Sequence, residues 1–206
     1  MLTIDRDKIP KLIGEKTRLT PLLPEHLVNI KQWGIHKNKL FLDYNISELS
    51  LEQLSIWYSY RKKTIRTSYF AVYNNEDVMV GYIGLKDINI LKRTALLGIA
   101  FDPNYLENGY GTDSLKVLLK HFFNDLNMKT MFLEVNAFNE RAIALYKKAG
   151  FRNEGEFLVE FEVEPEELKD YDIINDTEYF LFSDGKLLSR ILRMRLDRIN
   201  YESKMY

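Results

Sequence analysis

The stretch Leu133-Glu134-Val135-Asn136-Ala137-Phe138-Asn139-Glu140-Arg141-Ala142-Ile143-Ala144-Leu145-Tyr146, closed by Lys147-Lys148-Ala149-Gly150-Phe151, reads as a strand followed by a capped helix. Alternation places Met131, Leu133 and Val135 on one strand face and Phe132, Glu134 and Asn136 on the other. Asn139 suits a helix N-cap, Gly150 suits the position just past a helix end, and Ile143 and Tyr146 share a helix face. Working outward, Asn108-Gly109-Tyr110-Gly111-Thr112 leads into the apolar spacing Leu115, Leu118, Leu119, Phe122 and Phe123, a glycine loop opening an amphipathic helix.

A helix start leaves its leading N–H groups unpaired and carries partial positive charge, which attracts phosphate. Gly109 and Gly111 can take positive φ and hold no side chain against a ligand, although a tight turn would read the same way. The dinucleotide fingerprint fails because Ser114 stands where its third glycine belongs, and no Gly-Lys-Ser/Thr phosphate loop is present. Within a sheet, Glu134 is expected among apolar neighbours, where burial would raise its pKa towards that of a working base. A solvated outer-face glutamate is the alternative. Tyr146 likewise reads either as a core tyrosine or as a phenol at the rim of a site.

The chain has 206 residues, 46% of them hydrophobic, enough for one domain with a large core. No apolar run approaches a membrane span and no leader-like start is evident, so a cytoplasmic protein without membrane contact is expected. The absence of cysteine excludes disulfides, thiolate zinc sites and a cysteine acyl-enzyme. His26, His36 and His121 show no ligand spacing, so no metal is expected. The basic stretch Tyr60, Arg61, Lys62, Lys63 and Arg66 reads as a solvated helix end, since a net charge of -1 argues against a nucleic-acid partner.

Residues 1–16 look like a terminal extension. A first strand is expected over residues 19–22, a helix from Pro24 to about Gly34, a second helix through Leu51, Leu54, Trp57 and Tyr58, and strands over 69–73 and 78–85 around an Asn74-Asn75-Glu76-Asp77 turn. Leu192, Met194 and Leu196 alternate as a late strand with Arg193 and Arg195 opposite. Between residues 156 and 182, Glu160, Glu162, Glu164, Glu166, Glu167, Asp170, Asp172, Asp176 and Glu178 face only Lys169, which fits a solvated loop or a lid attracting a cationic acceptor. Phe157, Phe161, Tyr171, Tyr179, Phe180 and Phe182 give that segment something to bury.

Residues 98–151 resemble the acetyl-CoA-binding core of the GNAT N-acetyltransferases, particularly the branch of the ribosomal-protein N-terminal acetyltransferases. The resemblance is carried by Leu97-Gly98-Ile99-Ala100-Phe101-Asp102-Pro103, the glycine loop, Leu133-Glu134-Val135, and Asn139 to Tyr146 with Gly150-Phe151. Weaker likeness runs from residue 17 to about residue 196. Two positions depart from the family: Leu106 where Arg or Gln is usual, and Leu96 where a Glu often stands.

The resemblance implies an α/β (α+β) domain over residues 17–206, with the acidic insertion inside it. Its central mixed, mostly antiparallel sheet would be flanked by helices, with two middle strands splayed. Acetyl-CoA would lie in that notch, its pantetheine arm on Ile99, Ala100 and Phe101 and its pyrophosphate on Glu107, Asn108, Gly109, Tyr110, Gly111 and Thr112, while Asn139 touches the arm or fixes the helix start. Glu134 would take a proton from an amine acceptor, directly or through a water, and Tyr146 would serve the departing thiolate. A peptide N-terminus, a polyamine or an aminosugar fits as acceptor, and a homodimer is compatible. The rival reading is a non-catalytic acyl-CoA sensor or interaction module.

Overall fold

The computed structural model describes residues 12–161, 175 and 178–203. One nine-stranded sheet runs in the order β1-β2-β3-β4-β5-β6-β9-β7, with β8 paired to β9. Its first five strands are β1 (Leu12–Ile13), β2 (Thr17–Pro21), β3 (Ser68–Asn74), β4 (Met79–Asn89) and β5 (Thr94–Phe101). The others are β6 (Thr130–Asn136), β7 (Arg152–Glu160), β8 (Phe180–Ser183) and β9 (Lys186–Asp197). All pairings are antiparallel except β5 with β6. The sequence alone assigned residues 12–16 to the extension; there Leu12 and Ile13 form an edge strand, and Leu12 enters the core.

Both faces of the central strands are buried because β3 and β4 are apolar at consecutive positions. Phe70, Val72, Ile83 and Leu85 pack beneath α3 (Tyr110–Lys120) and α4 (Glu140–Ala149). Tyr69, Ala71 and Tyr82 pack on the opposite side against Leu27 and Ile30 of α1 (Leu27–Ile30) and Leu54 of α2 (Leu51–Ser59). Burying Leu, Ile or Phe side chains contributes about 1.5 to 3 kcal/mol each. The helix expected from Pro24 to Gly34 is shorter: a 3-10 turn over Pro24–His26 leads into α1, which ends at Ile30. Ser50 caps α2, its hydroxyl accepting from Gln53 N while Gln53 reciprocates to Ser50 N. Past α3 the chain continues as a π-turn over His121–Asp125, and α5 (Arg198–Glu202) follows β9.

The acidic segment begins inside β7, an edge strand exposed along its whole length, with Phe157, Leu158 and Val159 each close to 40% exposed. Phe180 is buried and joins Phe138 and Phe161 in a small aromatic cluster, whereas Phe182 stays exposed. Glu162, Glu164, Glu166, Glu167, Asp170, Tyr171, Asp172 and Asp176 lie outside the described residues.

Candidate active site

Strands β5 and β6 pair only at Thr94, Ala95 and Leu96 with Thr130, Met131 and Phe132. Beyond that point Leu97–Phe101 stay on β4 and Leu133–Asn136 stay on β9, so two backbone edges diverge. They open into a cleft of about 750 Å³. Ile99, Ala100 and Phe101 line it from β5, Glu134 from β6, and Asn139 and Tyr146 from α4. Glu107, Gly109, Tyr110, Gly111 and Thr112 line its mouth. Of the residues the resemblance assigned to acetyl-CoA or to catalysis, Asn108 alone is not part of the wall; its side chain turns back to donate to Leu106 O at 3.0 Å.

Gly109 is the N-cap of α3, with φ +82, and no side chain caps this helix, so its leading N–H groups remain available at the cleft mouth. The sequence suggested positive φ at Gly111 too. The structure corrects this: Gly111 lies within the first turn of α3, and the second left-handed residue is Glu107, at φ 65. A Cβ on Gly111 would stand 3.4 Å from Phe101 and 3.5 Å from Leu145, ordinary packing distances.

Glu134 is not buried. Its side chain is 34% exposed, because α1 and α2 cover only the β2–β4 part of that face. Where β6 and β9 continue it, the face carries Glu134, Arg193 and Arg195. Arg193 lies opposite Glu134 across the ladder with 3.9 Å between their charged atoms, and its guanidinium also sits 4.8 Å from the Phe132 ring centroid. The expectation of an apolar pocket around this carboxylate is therefore overturned, while its place on the cleft wall holds.

Tyr146 packs edge-on against Phe151 and is only 6% exposed. Burial, with Tyr44 beside it, pushes its phenol well above the ordinary value. Its hydroxyl has no hydrogen-bond partner among the described residues. Asn139 fixes the helix start by accepting from Ala142 N at 3.2 Å.

Sequence reasoning missed the other side of the cleft. Tyr44, Phe41 and His36 line it from the loop after α1, Tyr69 and Tyr82 from β3 and β4, and Arg61 and Lys86 complete that wall. Arg61 is not a solvated helix-end residue: its guanidinium carbon sits 4.1 Å from the Trp57 ring centroid. The aromatic spacing around Trp57 was legible, but it carried the signature of core packing. Among the described residues no cluster of His, Asp and Glu has the makings of a metal site, and no described helix is long and apolar enough to cross a membrane.

The signature of the family described as "Acetyltransferase (GNAT) domain" matches residues 16–152. The chain belongs to the GNAT acetyltransferase family. Among its relatives, the spermidine N(1)-acetyltransferase of Escherichia coli K12 is 37% identical over 81 residues, covering 39% of this chain and 44% of that protein. The ribosomal protein bS18 alanine N-acetyltransferase of the same strain is 40% identical over 65 residues, 30% of this chain and 41% of that one. The chain thus spans about half the length of the curated relatives it matches. Spermidine N-acetyltransferase from Vibrio cholerae, solved with CoA and spermine, superposes with a TM-score of 0.67 at 21% identity, covering 90% of this chain and 98% of that one. This GNAT fold therefore carries the mixed, mostly antiparallel sheet flanked by helices, with the splayed central strands that the sequence resemblance implied.

Proposed function

We propose that the chain is an N-acetyltransferase that moves an acetyl group from acetyl-CoA directly to a primary amine, with residues 17–206 as the catalytic domain. The observation that carries this reading is the notch between β5 and β6, which has an uncapped helix start at its mouth and an unpartnered phenol inside it. The unpaired edge of Ile99–Phe101 suits the amide groups of a pantetheine arm, and the N–H groups from Glu107 to Thr112 suit a pyrophosphate. A peptide N-terminus, a polyamine and an aminosugar all remain within this class, and two of them match the acceptors named for the relatives.

The acceptor must attack as a free amine, because an ammonium has no lone pair. At pH 7 deprotonation costs about 1.4 kcal/mol for an α-amine and about 4.6 for a lysine-like one. In our reading Glu134, directly or through a water, receives that proton. The amine nitrogen then bonds to the acetyl carbon as the carbon–sulfur bond breaks, and it releases its second proton to solvent to leave the neutral amide. Tyr146 stabilises the departing thiolate by donating a hydrogen bond; its raised pKa disfavours complete proton transfer, and the thiolate takes its proton from solvent.

The reading places the enzyme with the acetyl-CoA pool of the cytoplasm. Self-association as a homodimer belongs to the same reading: a structural neighbour at TM-score 0.63 is described as dodecameric, and β7 offers an exposed strand edge. The test of function is thiol release from acetyl-CoA over a panel of amines. Release with at least one amine supports the enzyme; tight acetyl-CoA binding with no release for any of them would make the chain a sensor.

A further inference from the structure

The wall of the cleft formed by α2, β3 and β4 carries two cations, Arg61 and Lys86, that no carboxylate among the described residues pairs with. Arg61 follows α2, and its guanidinium carbon lies 4.1, 5.7 and 5.9 Å from the ring centroids of Trp57, Tyr82 and Tyr69. Its Nη1 donates to Trp57 O at 3.0 Å, and its buried Nε has no hydrogen-bond partner among the described residues. No carboxylate among the described residues pairs with it. Lys86 stands opposite Leu96, the residue at which β5 leaves β6, and strand alternation puts it on the same face as Tyr82. It lines the cleft and likewise has no carboxylate partner among the described residues. Its neighbour Asp87 is turned to Arg66 at 3.6 Å. Gly98 permits this arrangement, since the Tyr69 hydroxyl occupies the space a Cβ would take.

These two cations do not belong to the phosphate cradle. The glycine loop opens α3, which packs on one face of the sheet, whereas Arg61 and Lys86 stand on the face that carries α1 and α2. The splay connects the two faces, so a donor held on the α3 side meets an acceptor arriving from the other. We propose that the acceptor carries a carboxylate close to the amine that is acetylated, and that Arg61 and Lys86 form the subsite that binds it. A guanidinium lodged among aromatic rings is weakly hydrated and presents a rigid fork that suits a carboxylate. A polyamine entering from this side would meet two like charges. The inference rests on the acetyltransferase reading above and narrows its acceptor to amino acids, or to peptides with an acidic residue beside the N-terminus.

The deciding measurement is thiol release from acetyl-CoA with acceptor pairs that differ only in a carboxylate or its amide: α-amino acids against their amides, short peptides with Asp or Asn at the second position, and spermidine as the polycation. The acid member of at least one pair should show kcat/KM about tenfold or more above its amide, and which pair does so separates a free amino acid from a peptide. Arg61→Gln and Lys86→Gln should each raise the KM of the acid and draw that ratio towards one with acetyl-CoA affinity unchanged, and Arg61→Lys should retain part of it. Lys86 is exposed, so Lys86→Gln remains informative if Arg61→Gln weakens the fold. Amides or spermidine matching the acids would overturn the carboxylate subsite and leave the acetyltransferase standing. No release with any amine would overturn both.

Discussion

Lys16 Nζ donates to the main-chain oxygen of Asn108 at 3.2 Å, which brings a cation from beside β2 to the glycine loop 92 residues away. The contact is held by Asp113 in the first turn of α3, whose carboxylate accepts from Lys16 N at 3.0 Å, Glu15 N at 3.1 Å and the Thr17 hydroxyl at 2.7 Å. The family usually has Arg or Gln at the position of Leu106; Lys16 delivers a positive charge to the same loop by another route. Lys16→Met is expected to weaken acetyl-CoA about fivefold, as for a partly solvated charge contact of about 1 kcal/mol. The loss should shrink as salt is raised. Calorimetric titrations at low and high salt check it, and equal affinities for variant and wild type at low salt would remove Lys16 from the site.

Gly109 combines positive φ with closeness, a Cβ there standing 3.2 Å from Lys16 Nζ. Gly109→Val should cost about 1 to 3 kcal/mol of stability through backbone strain. It should also abolish most of the thermal shift given by acetyl-CoA, a gain of about 2.7 kcal/mol at a hundredfold excess over Kd. Melting each variant with and without acetyl-CoA separates the two losses.

Tyr146→Phe keeps the ring against Phe151 and deletes only the hydroxyl. Removing a hydrogen bond to a charged group costs about 1.5 to 3 kcal/mol, so kcat should fall about ten- to a hundredfold with KM for acetyl-CoA little changed. A donor with a better leaving group than CoA should recover part of the loss. Wild-type turnover in the Phe variant, measured with chemistry rate-limiting, would leave Tyr146 as a packing residue.

Glu134→Gln should act on the acceptor side. The loss in kcat/KM should be largest for amines of high pKa and should diminish for weakly basic ones, which are already neutral at the working pH. A loss equal for all amines would assign Glu134 to binding instead of proton removal.

Stability should decline in alkali. Burial pushes Tyr69 up to about 12 from an ordinary 10.0, so the unfolded chain releases that proton first as pH rises. The stabilisation present below about pH 10 is then lost progressively up to about pH 12. Urea midpoints measured below and above that window should drop less for Tyr69→Phe than for wild type.

Local signals in the sequence determined the parts of the site that depend on local physics. The Asn139 cap, the Gly150 terminus, the left-handed Gly109 and the alternation of β6 are each set by a few neighbouring residues, and all are present in the fold. Which face of β6 would be covered was not a local matter. Glu134 stays exposed because the helices on its face stop at β4 and arginines of β9 fill the remainder, a consequence of strand order and not of spacing. The same holds for Tyr44, Tyr69, Tyr82 and Arg61, whose sequence signature is that of core aromatics and a helix-end cation. Only the splay between β5 and β6, a tertiary event in which parallel pairing ends at Leu96, turned those side chains into the wall of a cleft. Lys16 met its loop for the same reason, because antiparallel pairing of β2 with β3 and the grip of Asp113 joined segments that the chain holds far apart.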